Sequence, residues 1–286
     1  MSILICIFSA VFWSLFDLTR KLSLKILSPK EILILLMITQ LFLFGIWTSL
    51  YPFHMEVKNY LIPGIALIFI GIISAILFLK AIQTSDLSLT IPLLSLTPLF
   101  SVIFSFFLLD EKLTIYQNFA VIFIIFGALT LYSKNLKLSS IINSIITIKR
   151  NNSARLMIIV SLSWSITPVL DKLCLKFSSI NLHGLIQSLG MLIFLFLLSS
   201  SEIKKLKNVN KKKILITITL SIGIVATISQ LYAISHNFVP IMESIKRIIG
   251  LVGSLIFGLV FFKEKITKPK IVGLACLSLG MFFIFW

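Results

Sequence analysis

Charge is scarce in this sequence. Only 13% of its 286 residues are Asp, Glu, Lys or Arg, whereas a soluble domain has about a quarter. That shortage excludes an ordinary soluble globular protein. Three cysteines, Cys6, Cys174 and Cys276, lie in apolar stretches without paired spacing; they read as small buried hydrophobes rather than as a disulfide framework or thiol site. Three histidines, His54, His183 and His236, have neither zinc-protease spacing nor a carboxylate pattern for metal. There is no paired-aspartate motif of a prenyl transferase and no phosphate-binding loop to drive a pump. No catalytic residue, cofactor or metal is therefore expected.

What fills the chain instead is apolar: 58% hydrophobic residues and a mean hydropathy of +1.08. About 20 apolar residues cross the hydrocarbon core of a bilayer. Ten stretches meet that length, at 2–19, 31–50, 60–79, 88–109, 116–133, 155–175, 182–200, 214–235, 239–262 and 269–286. The expectation is an all-α integral membrane protein with ten transmembrane helices. No basic residue precedes the first apolar run, and Arg20 and Lys21 follow it. It reads as a first spanning helix rather than a cleaved leader.

The net charge of +16 invites a nucleic-acid partner, but its placement argues against one. Of 26 Lys and Arg, 20 fall on the side holding the loops after the odd-numbered helices, including Arg20, Lys21, the cluster 134–155, the run 204–213 and Lys263 to Lys270. Four fall opposite, at Lys58, Lys112, Lys172 and Lys176, and Lys246 and Arg247 lie within a span. A positive-inside bias of this kind puts the basic side in the cytoplasm and both termini away from it. The expected location is the cell (plasma) membrane, multi-pass, with the anionic inner leaflet attracting the basic loops.

The chain also repeats itself. "WSLFDLTRKLSLK" (13–25) aligns without a gap on "WSITPVLDKLCLK" (164–176), with six of thirteen positions identical. "DEKLT" (110–114) matches "KEKIT" (263–267), Ala81 falls over Ala233, and Gly127 falls over Gly280, all at nearly one offset. Two copies of five helices follow: a first repeat at 1–133, a basic linker at 134–154 and a second repeat at 155–286. An odd helix count inserts the second copy upside down, and inverted repeats build carriers whose site lies where the copies meet. The linker reads as an amphipathic helix on the membrane surface.

Ten helices in two copies, each with "(D/K)EK(L/I)T" before a glycine-containing last helix, resemble the drug/metabolite transporter superfamily, in particular its EamA-like members. "AIQTSDLSLTIPLLSLTPLFSVIFSFFLLDEKLT" resembles that family's fourth helix and the acidic turn after it. The resemblance spans the whole chain and implies transport of a small molecule. "KR" at 246–247 also resembles the plant sugar-phosphate translocators, which implies an anion-gripping role for Lys246 and Arg247.

The residues themselves point the same way. Glu243, Lys246 and Arg247 share one helical face, continued by Gly250, Ser254 and Gly258, and small residues there let another helix approach. A charge costs roughly 2.5–3.5 kcal/mol at the centre of a membrane helix. Glu243 offsets one of the two cations and leaves one positive charge, roughly 10 Å deep, for a phosphate or carboxylate. His183 and Gln187, four apart, could line the same cavity, and Trp13 and Trp164 could wall it. Asp17 and Asp171 are candidate proton carriers, with Pro168 loosening the helix before Asp171. Pro92 and Pro98 should kink the fourth helix and turn Ser95 towards the cavity, with Tyr232, Gln83 and Gln230 as weaker polar candidates. Glu111 and Glu264 read as clamps in tight turns.

The resulting expectation is a secondary transporter, a monomer or homodimer, moving a small polar metabolite that carries a carboxylate or phosphate. The alternatives are an exporter of amino acids or of cationic or aromatic compounds of the same superfamily, and, further away, an intramembrane lipid-modifying enzyme or a channel.

Overall fold

In lipid a backbone must satisfy its own hydrogen bonds, as a helix or a closed barrel does; apolar runs of about 20 residues suit helices, and helices are what form. The computed structural model describes residues 2–97, 100, 104, 106–107, 115–198 and 213–283. Within them run α1 (Ser2–Ser23), α2 (Pro29–Leu50), α3 (Val57–Thr84), α4 (Leu87–Thr90, continued by a 3-10 turn at Ile91–Ser95), α5 (Ile115–Leu131), α6 (Leu138–Arg150), α7 (Asn152–Leu175), α8 (Ile180–Leu198), α9 (Lys213–His236), α10 (Val239–Phe262) and α11 (Lys268–Phe283). Polar residues set the boundaries. Ser28 and Glu31 form a reciprocal capping box at the start of α2, with bonds of 3.3 and 2.7 Å. Asn151 caps α7 through Ala154 N–H at 3.0 Å.

Seven of these helices are long and apolar enough to cross a membrane: Ile3–Ser23, Pro29–Leu50, Val57–Thr84, Asn152–Leu175, Ile180–Leu197, Lys213–His236 and Val239–Phe262. The first runs past position 19, so Arg20 and Lys21 belong to the helix and not to a loop. Arg20 is buried. The fourth expected span opens as a single turn of α4 and tightens into the 3-10 turn that holds Pro92. Pro98, the "DEKLT" turn with Glu111 and the basic run 204–212 lie outside the described residues. α7 runs unbroken through Pro168 rather than loosening there.

Large apolar side chains such as Phe42, Leu61, Ile62, Phe119 and Leu197 face outward, as lipid-facing surfaces do and water-facing ones do not. Inside, α1 packs on α9 and α10, α3 on α7, α2 on α8, and α5 on α11, while the 3-10 turn contacts α7 and α10. Writing each helix as its counterpart in the other sequence copy leaves these pairings unchanged: α1–α9 becomes α7–α3, and α2–α8 becomes itself. The α5–α11 crossing is close, with a Cβ at Gly127 falling 2.8 Å from the Gly273 carbonyl oxygen.

The small-residue face of α10 does less than its spacing promises. Gly250 has only ordinary clearance from Ile91, at 3.9 Å, and Gly258 makes room for the Glu264 carboxylate. The close approach of α1 comes at Gly253, where a Cβ would strike Ser14.

Candidate functional site

Pro240 in the first turn of α10 places Glu243 one turn in and Lys246 and Arg247 one turn further. Glu243 is fully buried. Its carboxylate accepts from the Arg247 guanidinium at 2.9 Å and also pairs with the Lys246 ammonium. Lys246 donates in addition to Gln230 Oε1 on α9 at 3.0 Å. One acid thus holds two cations, and the trio keeps one positive charge. Each cation lies over an indole: Lys246 Nζ is 5.6 Å from the Trp13 ring and the Arg247 guanidinium 5.5 Å from the Trp164 ring. Cation–π attraction at desolvated sites is worth about 2 kcal/mol. The two tryptophans hold the same position in the two sequence copies, so both copies contribute to one wall. Trp164 is fixed in turn by donating Nε1–H to Ser74 Oγ on α3 at 3.0 Å.

These groups face a cavity of about 220 Å³. Trp13, Trp164, Lys246 and Arg247 line it, together with Asp17, Asp171, His183 and Gln187. Three donors of lining residues, Trp13 Nε1, Arg20 Nε and Arg247 Nε, have no hydrogen-bond partner among the described residues.

A second polar cluster stands on the same cavity. His183 Nε2 is 3.1 Å from an Asp171 carboxylate oxygen, and His183 Nδ1 is 2.8 Å from the Tyr60 hydroxyl. Gln187 donates its amide to Tyr60 Oη at 3.1 Å and to the Gly64 carbonyl at 3.2 Å. α3, α7 and α8 each supply part of it.

Nine of the polar and aromatic residues singled out in the sequence, Gln230 among them, therefore converge on one cavity. Glu243 lies behind its two cations rather than on the wall. Ser95 and Tyr232 do not line the cavity: Ser95 is buried in the 3-10 turn, and the Tyr232 ring stacks on Trp47 at 6.2 Å. Gln83 is exposed. Arg20, counted in the sequence as a loop cation, lines the cavity instead. It pairs with Asp17 and sits among Phe16, Phe78 and Trp13, with ring centroids at 4.2, 4.5 and 5.7 Å. A signal was available, since Arg20 aligns on Asp171 in the gapless repeat and lies three residues from Asp17. Tyr60 and the Gln40–Thr227 hydrogen bond, 2.8 Å, carried no such signal. Among the described residues no three His, Cys, Asp or Glu side chains gather as a metal site.

Beyond the wall, Glu264 accepts from Leu87 N–H (2.7 Å), Ser88 N–H (2.9 Å) and the Lys21 ammonium (3.3 Å). Lys21 also donates to the Ser85 carbonyl at 3.0 Å; its counterpart in the second copy, Lys172, donates to the Asn237 carbonyl at 3.0 Å.

Comparison with known proteins places these observations in context. The model of the EamA-like transporter family matches residues 1–133 and 153–286. No curated protein matches. Among solved structures 22 chains match. One, described only as "Crystal structure of protein", is 14% identical with a TM-score of 0.64, over 99% of this chain and 98% of its own; at that identity the likeness is one of fold alone.

Proposed function

The chain belongs to the EamA-like transporter family of small-molecule membrane transporters, and from that premise we propose that it is a secondary transporter of a small organic anion bearing a carboxylate or phosphate. The observation that carries this reading is the α10 trio. Two cations share one buried acid on the wall of a central cavity, each over an indole from a different copy. The surplus positive charge of the trio on this wall attracts an anion strongly in a low-dielectric site. Orphan donors on Trp13 and Arg247 suit the several acceptor oxygens of such a group.

Movement would come from alternating access by ten helices in two inverted five-helix repeats. The shared sequence offset and the reciprocal helix pairing support that arrangement. Residues 134–154 form the linker in this scheme. Within it α6 turns Ile142, Ile145 and Ile146 outward and ends in Lys149 and Arg150, a pattern suited to an interfacial helix. On this reading the basic loops face the cytoplasm, which supports termini on the opposite side, and the proposed location is the plasma membrane.

The test is a thermal-shift series on purified protein with phosphate, sulfate, pyruvate, glucose and putrescine, repeated on Lys246→Ala and Arg247→Ala. Anions should raise the melting temperature of the parent and lose that effect in both variants. Equal stabilisation of parent and variants by anions refutes the anion site. Stabilisation by putrescine alone favours an exporter of cations.

A further inference from the structure

The Asp171–His183–Tyr60–Gln187 cluster stands apart from the cationic trio, yet Asp171, His183 and Gln187 open on the same cavity. Its hydrogen atoms can be placed by donor and acceptor accounting. The Gly64 carbonyl only accepts, so the atom 3.2 Å from it must be the Gln187 amide nitrogen. That amide nitrogen also reaches Tyr60 Oη, 3.1 Å away, so the tyrosine oxygen accepts there. The Tyr60 proton is then free to point at His183 Nδ1, 2.8 Å distant. With Nδ1 accepting, the imidazole is neutral and carries its proton on Nε2, which donates to Asp171 at 3.1 Å. An imidazolium would turn Nδ1–H against the Tyr60 oxygen and leave the Tyr60 proton without its acceptor. A buried group so stranded is expensive. The network therefore holds His183 neutral, and the place for a further proton is the Asp171 carboxylate itself.

From this geometry we infer that Asp171 is a proton-binding site and that the proton is a co-substrate taken up with the anion, an inference that rests on the anion reading above. The charges close. Glu243, Lys246 and Arg247 leave one positive charge; Asp171 beside neutral His183 contributes one negative. Lys246 and Asp171 line the same cavity. An anion on the cationic wall cancels the charge that stabilises the carboxylate and leaves Asp171 unbalanced in a low-dielectric cavity. A proton on Asp171 restores neutrality. Binding of each favours the other, and by linkage the effect is reciprocal.

The other ionisable groups near the pair do not replace it. Tyr60 of α3 is committed to His183, and Cys174 of α7 is a buried thiol. Lys172 of α7 directs its ammonium to the Asn237 carbonyl. From α10 come Lys246 and Arg247, and α9 presents the neutral Thr227 and Gln230. Asp17, the other acid on the cavity, is already paired with Arg20.

The test uses the whole protein in detergent, with pyruvate and sulfate as probes that do not themselves titrate near neutral pH. Nitrogen NMR of ¹⁵N-histidine protein, with His183 assigned from a His183→Gln sample, should show Nε2 protonated and Nδ1 bare at pH 7. In Tyr60→Phe that preference should be lost. In weakly buffered solution, binding should take up about one proton per anion, and affinity should tighten about tenfold as the pH falls through the transition. Asp171→Asn should still bind but show neither effect. Binding with no proton uptake, or the same uptake in Asp171→Asn, overturns the proton site and leaves the anion site standing. Failure of both probes at every pH removes the anion reading, and the proposal with it. An imidazolium at His183 at pH 7 overturns the proton assignment whatever the anions do.

Discussion

Glu243 and Glu264 are both buried carboxylates, and they differ in what faces them. Glu243 looks at two side-chain cations and stands directly behind the cavity wall that they form. Glu264, in the turn after α10, looks mainly at backbone: two N–H groups at the start of α4, with Lys21 alongside. Burial, the largest single influence, pushes the Glu264 carboxyl up. Hydrogen bonds from the Ser88 side chain and backbone and from Leu87, with the Lys21 charge, together outweigh it and hold the group below its ordinary 4.5. A depressed carboxyl stabilises the fold above its unfolded value and loses that contribution as the pH falls through the folded one. Glu264→Gln should therefore cost about 2 kcal/mol at pH 7, the scale of a hydrogen bond to a charged acceptor. The gap between parent and variant melting temperatures should narrow once the pH drops below about 4.5. A gap that stays constant from pH 7 to pH 3.5 would show that the charged form makes no contribution there.

At the scale of elements the molecule is held by glycine as much as by charge. α5 and α11 approach so closely that a Cβ at Gly127 would lie 2.8 Å from the Gly273 oxygen and from Leu277 N. These are backbone atoms and cannot rotate away. Gly127→Leu should force the two helices apart at a cost of about 1–3 kcal/mol, read as a lowered melting temperature, while anion binding at the distant α10 wall persists. The glycines also mark how far the sequence could be read. The repeat and the charged face of α10 were legible because hydrophobic length, identity at one offset and i, i+3, i+4 spacing are local properties. Which glycine meets which backbone is not local: Gly127 aligns with Gly280 in the repeat but packs on Gly273. Arg20 was misplaced for a related reason. Hydropathy ends a span at the first charge, whereas this arginine stays inside the helix because Asp17 and three aromatic rings surround it. Tyr60 and Gln40 gave no sequence signal, since a lone polar residue in an apolar run becomes informative only when its partner on another helix is known.

Across the whole molecule, the two copies meet at both ends of the cavity. At one end Glu264 of the second copy grips α4 of the first. At the other, Glu56 N–H donates to the Phe177 carbonyl at 2.8 Å and Ser179 N–H to the His54 carbonyl at 3.1 Å, so the α2–α3 and α7–α8 connections form a short antiparallel bridge between Met55 and Ser178. This bridge joins the α7–α8 connection, which lies between the cavity-lining Asp171 and His183 in the chain, and a carrier that opens at that end must part it. Met55 and Ser178 form a pair of the non-hydrogen-bonded kind, flanked by those two bonds, with α-carbons about 4.5 Å apart, within the range a disulfide spans. Met55→Cys/Ser178→Cys, made with Cys6, Cys174 and Cys276 replaced by alanine, should cross-link on oxidation. The oxidised protein should abolish pyruvate counterflow in sealed vesicles, and dithiothreitol should restore it. Counterflow that continues at the parent rate in fully cross-linked protein would show that the two copies move without separating at this bridge, and the path to the cavity would have to run elsewhere.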